Sequence, residues 1–274
     1  MPDVHVNAYY TWKRVTGLFV RVSGSWKRVT GAWVRTGGVW KRVYPAGGQQ
    51  EWLTPGTYSF SVPAGVTSIH AAVVGGSGNT LSAIRRGGTV LLSNTSTVGS
   101  AVGGGDGGGG GYGGAGYPAG GGNGAGGYSG SGGTGHSGNE GVYGDGNPGA
   151  GGGGGGGRSA SSSGGRQHGG GVYLHGEGAS GAGGRSSAPP GHGSDLGEGQ
   201  PRGAGRYGFN SSYPSEVGGN LRYTKTAITV TPGETLTIVV APIASSSGGD
   251  VTTGGGVRII WGEGHSYPNN AKDV

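Results

Sequence analysis

Between residues 101 and 208 the chain is close to half glycine, 50 residues in 108. Such a stretch has few side chains to bury, so it cannot build a hydrophobic core. Glycine also loses more conformational freedom on ordering than any other residue, which opposes helices and strands alike. Two outcomes remain: a disordered linker, or an ordered array held by backbone alone. In the ordered form, polyglycine-II helices with three residues per turn and a rise of about 3.1 Å per residue lie side by side. Each N–H and C=O must then find a partner on a neighbouring rod or in water. Only chains nearly free of side chains approach one another closely enough on several sides at once. At that rise residues 151–157 span about 22 Å. A plain Gly/Ser linker would not carry Tyr112, Tyr117, Tyr128, Tyr143, Tyr173, Tyr207, Phe209 and Tyr213, nor His136, His168, His175 and His192. Their presence favours the ordered array, with these side chains at turns and rims.

The rest of the composition narrows the class further. Glycine totals 75 of 274 residues, but without an every-third-residue rule and with only 13 prolines, so collagen is excluded. No apolar run is long enough to cross a bilayer as a helix, and Met1-Pro2-Asp3-Val4-His5 does not read as a secretory leader. The absence of cysteine excludes disulfides and thiolate metal sites.

The flanks of the glycine zone read as strands. Thr54-Pro55-Gly56-Thr57 and Thr231-Pro232-Gly233-Glu234 each suit a type II turn, with Pro fixing φ and Gly accepting φ > 0. Alternating segments follow both: Tyr58, Phe60 and Val62 share one face, as do Leu236, Ile238 and Val240. Further strand candidates cover residues 66–74, 89–92, 224–231 and 257–261, where Val257, Ile259 and Trp261 point the same way. No stretch has helical periodicity. The expected fold is all-β: a small β-sandwich over 51–274 with a glycine-rich polyglycine-II insertion at about 101–208, preceded by a module over 1–50.

That N-terminal module holds eight of the nineteen Lys and Arg and four of the six Trp. Its aromatic positions, Trp12, Phe19, Trp26, Trp33 and Trp40, recur every seven residues. Arg14, Arg21, Arg28, Arg35 and Arg42 each follow two residues later. A coiled coil is disfavoured because every heptad would carry a glycine costing about 1 kcal/mol against alanine. The better reading is a five-stranded meander with two-residue turns at Thr16-Gly17, Ser23-Gly24, Thr30-Gly31 and Gly37-Gly38. Arg14 would then face Phe19, Trp12 would face Arg21, Arg21 would face Trp26 and Phe19 would face Arg28. One side becomes a checkerboard of rings and guanidinium groups, and the other carries valines with Lys13, Lys27 and Lys41. Such a face suits three uses: stabilising its own thin sheet, docking on another protein, or stacking on nucleic acid.

Searches for chemistry find little. Glycine runs create G-x-G-x-x-G matches by chance, but none opens a helix within a βαβ unit. No close histidine pair suggests a metal centre. Asp106, Glu140, Asp145, Glu177, Asp195 and Glu198 could in principle supply a carboxylate pair for glycan cleavage, but scattered acids more simply keep loops solvated. The chain is expected to be no enzyme, with no catalytic residue, metal or cofactor.

Several segments carry a resemblance. The frame Thr54-Pro55-Gly56-Thr57-Tyr58-Ser59-Phe60-Ser61-Val62-Pro63-Ala64-Gly65-Val66 leads through Val73-Val74-Gly75-Gly76 to the glycine zone. The ending Gly256-Val257-Arg258-Ile259-Ile260-Trp261-Gly262, with Ser266-Tyr267-Pro268, closes it. Together these resemble the glycine-rich domains of tailed-bacteriophage structural proteins. The Trp-Lys-Arg-Val repeat is similar to N-terminal repeats on such proteins, and the glycine zone to the polyglycine-II sandwiches of tail-fibre tip adhesins. The resemblance implies a virion component of the tail fibre or tail tip. Its ten repeat residues, Trp12 to Arg42 as named above, would attach it to other virion proteins. Its glycine-rich domain would meet a host-surface glycan or outer-membrane protein, with no nucleic-acid partner and no membrane insertion. Trimeric assembly follows by analogy with tail fibres. Tyr143, Tyr173, Leu174 and His175 are the candidates for the receptor-facing rim, since tyrosine offers large amphipathic contact area with few rotatable bonds. The alternative is a decoration or cement protein of the capsid or tail that contacts no receptor.

Overall fold

The turns of the N-terminal repeat decide how it folds. In the computed structural model the described residues are 5–8, 11–14, 19–29, 31–44, 47–76, 80–95, 102–106, 108, 124–134, 148, 172, 174–175, 219–242, 254–262 and 264–268. Within the first of these, β1 (His5–Ala8) pairs with β2 (Thr11–Arg14), β3 (Phe19–Val22) with β4 (Ser25–Arg28), and β5 (Ala32–Thr36) with β6 (Val39–Tyr44), all antiparallel. No ladder among the described strands joins β2 to β3 or β4 to β5, so the expected five-stranded meander is replaced by three hairpins. The turns that do form are Ser23-Gly24, with φ of 52° and 82°, and Gly37-Gly38, with φ of 59° and 84°. Both central residues are left-handed, as a tight hairpin turn matched to strand twist requires. Thr16-Gly17 and Thr30-Gly31 would each put a β-branched residue in that region, which it resists; Thr16, Gly17 and Thr30 lie outside the described residues.

Pairings inside the hairpins therefore follow expectation: Phe19 stands opposite Arg28 and Arg21 opposite Trp26. The third hairpin repeats the pattern, with Trp33 opposite Arg42 and Arg35 opposite Trp40. Pairings expected across Thr16-Gly17 are not among the ladders of the described strands: β2 pairs with β1, Arg14 opposite His5 and Trp12 opposite Asn7. The repeating unit is thus a hairpin of two heptads.

Ten further strands build two antiparallel sheets. β7 (Gly48–Trp52), β8 (Gly56–Ser61), β9 (Ser68–Val74), β10 (Ala83–Arg86), β11 (Thr89–Ser93) and β12 (Val102–Gly103) precede the glycine zone. β13 (Leu221–Thr224), β14 (Ile228–Thr229), β15 (Thr235–Val240) and β16 (Gly256–Trp261) follow it. The smaller sheet has the order β11-β10-β15-β8; the larger runs β12-β13-β9-β16-β7, with β14 also on β9. Every regular element among the described residues is a strand, in agreement with the all-β expectation. β7 starts before residue 51 and pairs with β16, so the framework reaches slightly into the segment assigned to the N-terminal module.

One apolar layer joins the two sheets. Phe60, Ile84, Leu92, Leu236, Ile238 and Val240 from the smaller sheet meet Ile69, Ala71, Val73, Val257, Ile259 and Trp261 from the larger. The Phe60 ring sits 5.7 Å from both Trp52 and Trp261. The opposite face of the larger sheet is also covered: Ala72, Val74, Ile260, Leu221 and Tyr223 pack with Ala125, Tyr128, Val172, Leu174 and Tyr267. β16 is buried along its whole length as a result. That double burial explains why Ile260, on the face opposite Val257, Ile259 and Trp261, is apolar too.

The two Pro-Gly turns diverge. Gly233 has φ of 85°, and the Glu234 N–H donates to the Thr231 carbonyl at 3.0 Å, closing the expected turn. Gly56 instead opens β8 opposite Val240, with φ of 153°. The Thr54 carbonyl, free of that turn, accepts the Tyr58 hydroxyl at 2.9 Å.

Three described segments of the glycine zone bond to one another, two of the pairings in three-residue steps. Gly105 N–H donates to Gly127 (2.7 Å) and Gly108 N–H to Gly124 (2.8 Å), an antiparallel pair of segments in steps of three. Gly124 donates to Gly133 and Gly127 to Gly130, both at 2.9 Å, again in steps of three. Gly132 N–H donates to Asp106, so segments 105–108, 124–127 and 130–133 each bond to the other two. In a β-ladder, bonds to one neighbour recur every second residue and partners lie in a plane. Here partners lie on several sides. Residues 219–221 add a further strand of chain through Gly126 to Gly219 and Leu221 to Gly105. The α-carbons face neighbours as well: a methyl group on Gly105 would overlap the Gly130 carbonyl oxygen, and one on Gly132 that of Gly124. Residues 151–157 lie outside the described residues.

Candidate functional site

The residues expected to attach this chain to a partner divide by what is described. Phe19, Trp26, Trp33 and Trp40 are exposed, at 59%, 70%, 52% and 66%. Arg21 and Arg35 are exposed beside them. Each Arg sends its Nε–H to its own turn, Arg21 to the Gly24 carbonyl and Arg35 to the Gly38 carbonyl, both at 3.4 Å. The same contact in two successive hairpins follows from one sequence pattern and holds each guanidinium beside a ring position. The backbones of Trp12, Arg14, Arg28 and Arg42 lie in β2, β4 and β6. On the alternate face of these hairpins Val20, Val22 and Val34 are exposed too.

The expected receptor-facing rim divides differently. Tyr143 and Tyr173 lie outside the described residues. Leu174 and His175 are buried, and this corrects their assignment to an exposed rim. Leu174 packs with Ile260, Tyr128 and Tyr267 against the larger sheet. The physical reason is a buried guanidinium that the sequence reading passed over. Arg258, fully buried in β16, stands opposite Glu51 of β7. Its Nε donates to Gln49 Oε1 at 2.8 Å, Nη2 donates to the same oxygen, and Nη1 donates to the Leu174 carbonyl at 3.0 Å. The Tyr267 hydroxyl donates to that carbonyl too, at 3.2 Å. Two donors thus hold one backbone oxygen inside the protein.

Glu51 balances the charge. Its Oε1 lies 3.1 Å from Arg258 Nε, in ion-pair contact rather than an aligned hydrogen bond, and 2.7 Å from His175 Nε2. Arg258 also lies 5.9 Å from the centre of the Tyr267 ring. Burial pushes the Tyr267 phenol well above its ordinary range, partly offset by the Arg258 charge, so it remains a hydrogen-bond donor. Tyr267 stacks on Tyr128 at 5.8 Å, and Tyr128 touches Tyr223 at 5.5 Å. Tyr128 does sit at a turn between glycine segments, as expected, but it points inward. One clue was available in the sequence: a lone arginine inside the apolar run Val257-Arg258-Ile259-Ile260-Trp261 needs a buried partner.

A second arginine holds the glycine segments. Arg222 Nη1 donates to the Gly105 carbonyl at 2.8 Å and to that of Leu221 at 3.1 Å, and Nη2 pairs with Asp106. Asp106 therefore serves as a tether, and the other five acids weighed for glycan cleavage lie outside the described residues. No group of three His, Asp or Glu side chains is placed for a metal ion among the described residues.

Two histidines give the framework a pH dependence. Burial lowers the pKa of His70 below the ordinary value, with the Thr224 carbonyl opposing it; burial and then the Arg258 charge lower that of His265. The unfolded chain therefore takes up protons at these sites first, near pH 6.5. Stability is intact above that pH and declines as pH falls from there through the lowered folded values. Urea unfolding is expected to show a lower midpoint at about pH 5 than at about pH 7.5, and His70→Gln with His265→Gln to reduce the difference. An equal difference in the double variant would assign the effect elsewhere.

Compared with models of known protein families, with curated proteins and with solved structures, the chain matches none.

Proposed function

We propose that this chain is a non-catalytic structural protein of a bacteriophage tail fibre or tail tip. The N-terminal hairpins fix it to other virion proteins, and the glycine-rich domain is presented for host-surface recognition. The observation that carries the reading is the three-residue hydrogen-bond step shared by segments 105–108, 124–127 and 130–133. It supports a polyglycine-II bundle seated on a β-sandwich, an arrangement in which rods are rigid without side chains and the turns between them are left to vary. A host glycan or outer-membrane protein is the partner that such turns would meet. The exposed rings and guanidinium groups of the hairpins support the attachment role, since Trp and Arg are favoured interface anchors.

Location in the particle tests this. Gold-labelled antibody against the purified chain is expected to mark the distal tail of intact virions. Regular labelling over the capsid would replace the host-recognition role with decoration, and unlabelled particles would remove the reading altogether.

A further inference from the structure

The hairpins carry a charge pattern that specifies their partner more closely than the attachment role does. Between Asp3 and Glu51 there is no acidic residue, while eight Lys and Arg fall in that interval. A second copy of this module would bring like charge against like charge, without an anion to compensate the guanidinium groups it covers. The apolar surface is two-sided: rings on one face of the hairpins, Val20, Val22 and Val34 on the other. Single-stranded nucleic acid would stack on the rings and leave the valines in water.

The pattern also repeats. Phe19, Arg21 and Trp26 of the second hairpin correspond to Trp33, Arg35 and Trp40 of the third, fourteen residues on, with the same register and the same Arg-to-turn contact. In the first hairpin Trp12 keeps its place, but His5 and Asn7 stand where the others have a ring and an arginine. With Nε of Arg21 and Arg35 turned to the Gly24 and Gly38 carbonyls, the outer nitrogens of each guanidinium remain to fork a carboxylate. Two equivalent hairpins in series fit a partner that offers one site more than once.

We infer that the partner is a protein presenting the same acidic, apolar-lined cleft in repeated copies, each taking one hairpin with both faces covered. The inference rests on the attachment role proposed above and adds the partner's chemistry and symmetry. Chemistry of this kind requires carboxylates between apolar walls, with the tryptophans as anchors.

A random dodecapeptide library selected on the full chain supplies the probe. Enrichment of peptides combining Asp or Glu with Leu or aromatic residues is the expected result; neutral or basic sequences, or no enrichment, would overturn the inference. The best acidic peptide, displayed in three copies on one scaffold, is expected to bind roughly ten times more tightly than as a single copy. Equal affinity would reject the repeated site. Trp26→Ala with Trp40→Ala, and separately Arg21→Gln with Arg35→Gln, are each expected to weaken peptide binding at least about tenfold, the second pair also flattening its salt dependence. Unchanged binding in both would overturn the assignment of these residues. The arginine pair leaves the rings in place, so it stays informative if the tryptophan pair disturbs the hairpins. Tighter binding to a 20-nucleotide single strand, or to phosphatidylserine vesicles, or self-association of the chain would each replace the inferred partner. Failure here with tail labelling intact would leave attachment standing and remove only the acidic, repeated cleft.

Discussion

Arg258→Met is expected to lower the free energy of unfolding by about 3–5 kcal/mol, the usual cost of removing one member of a buried charge pair. Methionine matches the length of the arginine stem but donates nothing. Gln49 Oε1 then loses both Arg258 donors, the Leu174 carbonyl keeps Tyr267 of its two described donors, and Glu51 faces His175 without the guanidinium. A thermal melt should fall by roughly 10 °C for a chain of this size. Segment 174–175 should become more open to amide exchange, because its anchoring carbonyl is half released. Adding Glu51→Gln removes the stranded carboxylate and is expected to restore part of the loss. A melt within about 1 °C of wild type for the single variant would show that the cluster does not hold the segment in place.

The second large effect belongs to the glycine segments. Gly105→Ala and Gly132→Ala each place a methyl group into a backbone carbonyl of a neighbouring segment, at Gly130 and Gly124. A flexible side chain could swing away, but a carbonyl already bonded within the array cannot. The segments must separate, and several N–H···O bonds lengthen together. Overpacking ordinarily costs about 1–3 kcal/mol, and this rigid setting puts the cost at or above about 3 kcal/mol. The control is Gly88→Ala, which meets open space at a turn whose φ alanine tolerates and should change stability little. Amide exchange across 124–133 would rise in the two array variants and not in the control. Equal protection in all three would mean the three-residue bonding contributes nothing to order there.

Much of the framework was legible because its signals are local. The period-2 runs at Tyr58–Val62 and Leu236–Val240 face the shared apolar layer, and Ser23-Gly24 and Gly37-Gly38 close hairpins as such dipeptides should. The hairpin-versus-meander choice was also written locally, in the difference between Ser or Gly and Thr at the first turn position. Short strands such as β10 and β12 were not legible, since two to four residues carry no period of their own, whereas β14 falls inside the candidate over 224–231. The buried position of Leu174 and His175 was hidden for another reason. They lie in a glycine-rich stretch with no pattern, and what draws them inward is an arginine 84 positions away. Distance in sequence conceals such a bond; only the oddity of a charge within an apolar strand hinted at it.

The bonding step has a consequence for how such a chain can change length. Each residue turns a polyglycine-II rod by a third of a revolution, so adding one residue redirects every later N–H toward a different neighbour. Adding three returns each donor to its own acceptor, one turn further along. Length variation within the rods is then tolerated in triplets, whereas the bends between them accept any number. Under the proposed polyglycine-II reading, a lineage could therefore lengthen or shorten such rods in whole turns while exchanging the bends freely, with the β framework untouched.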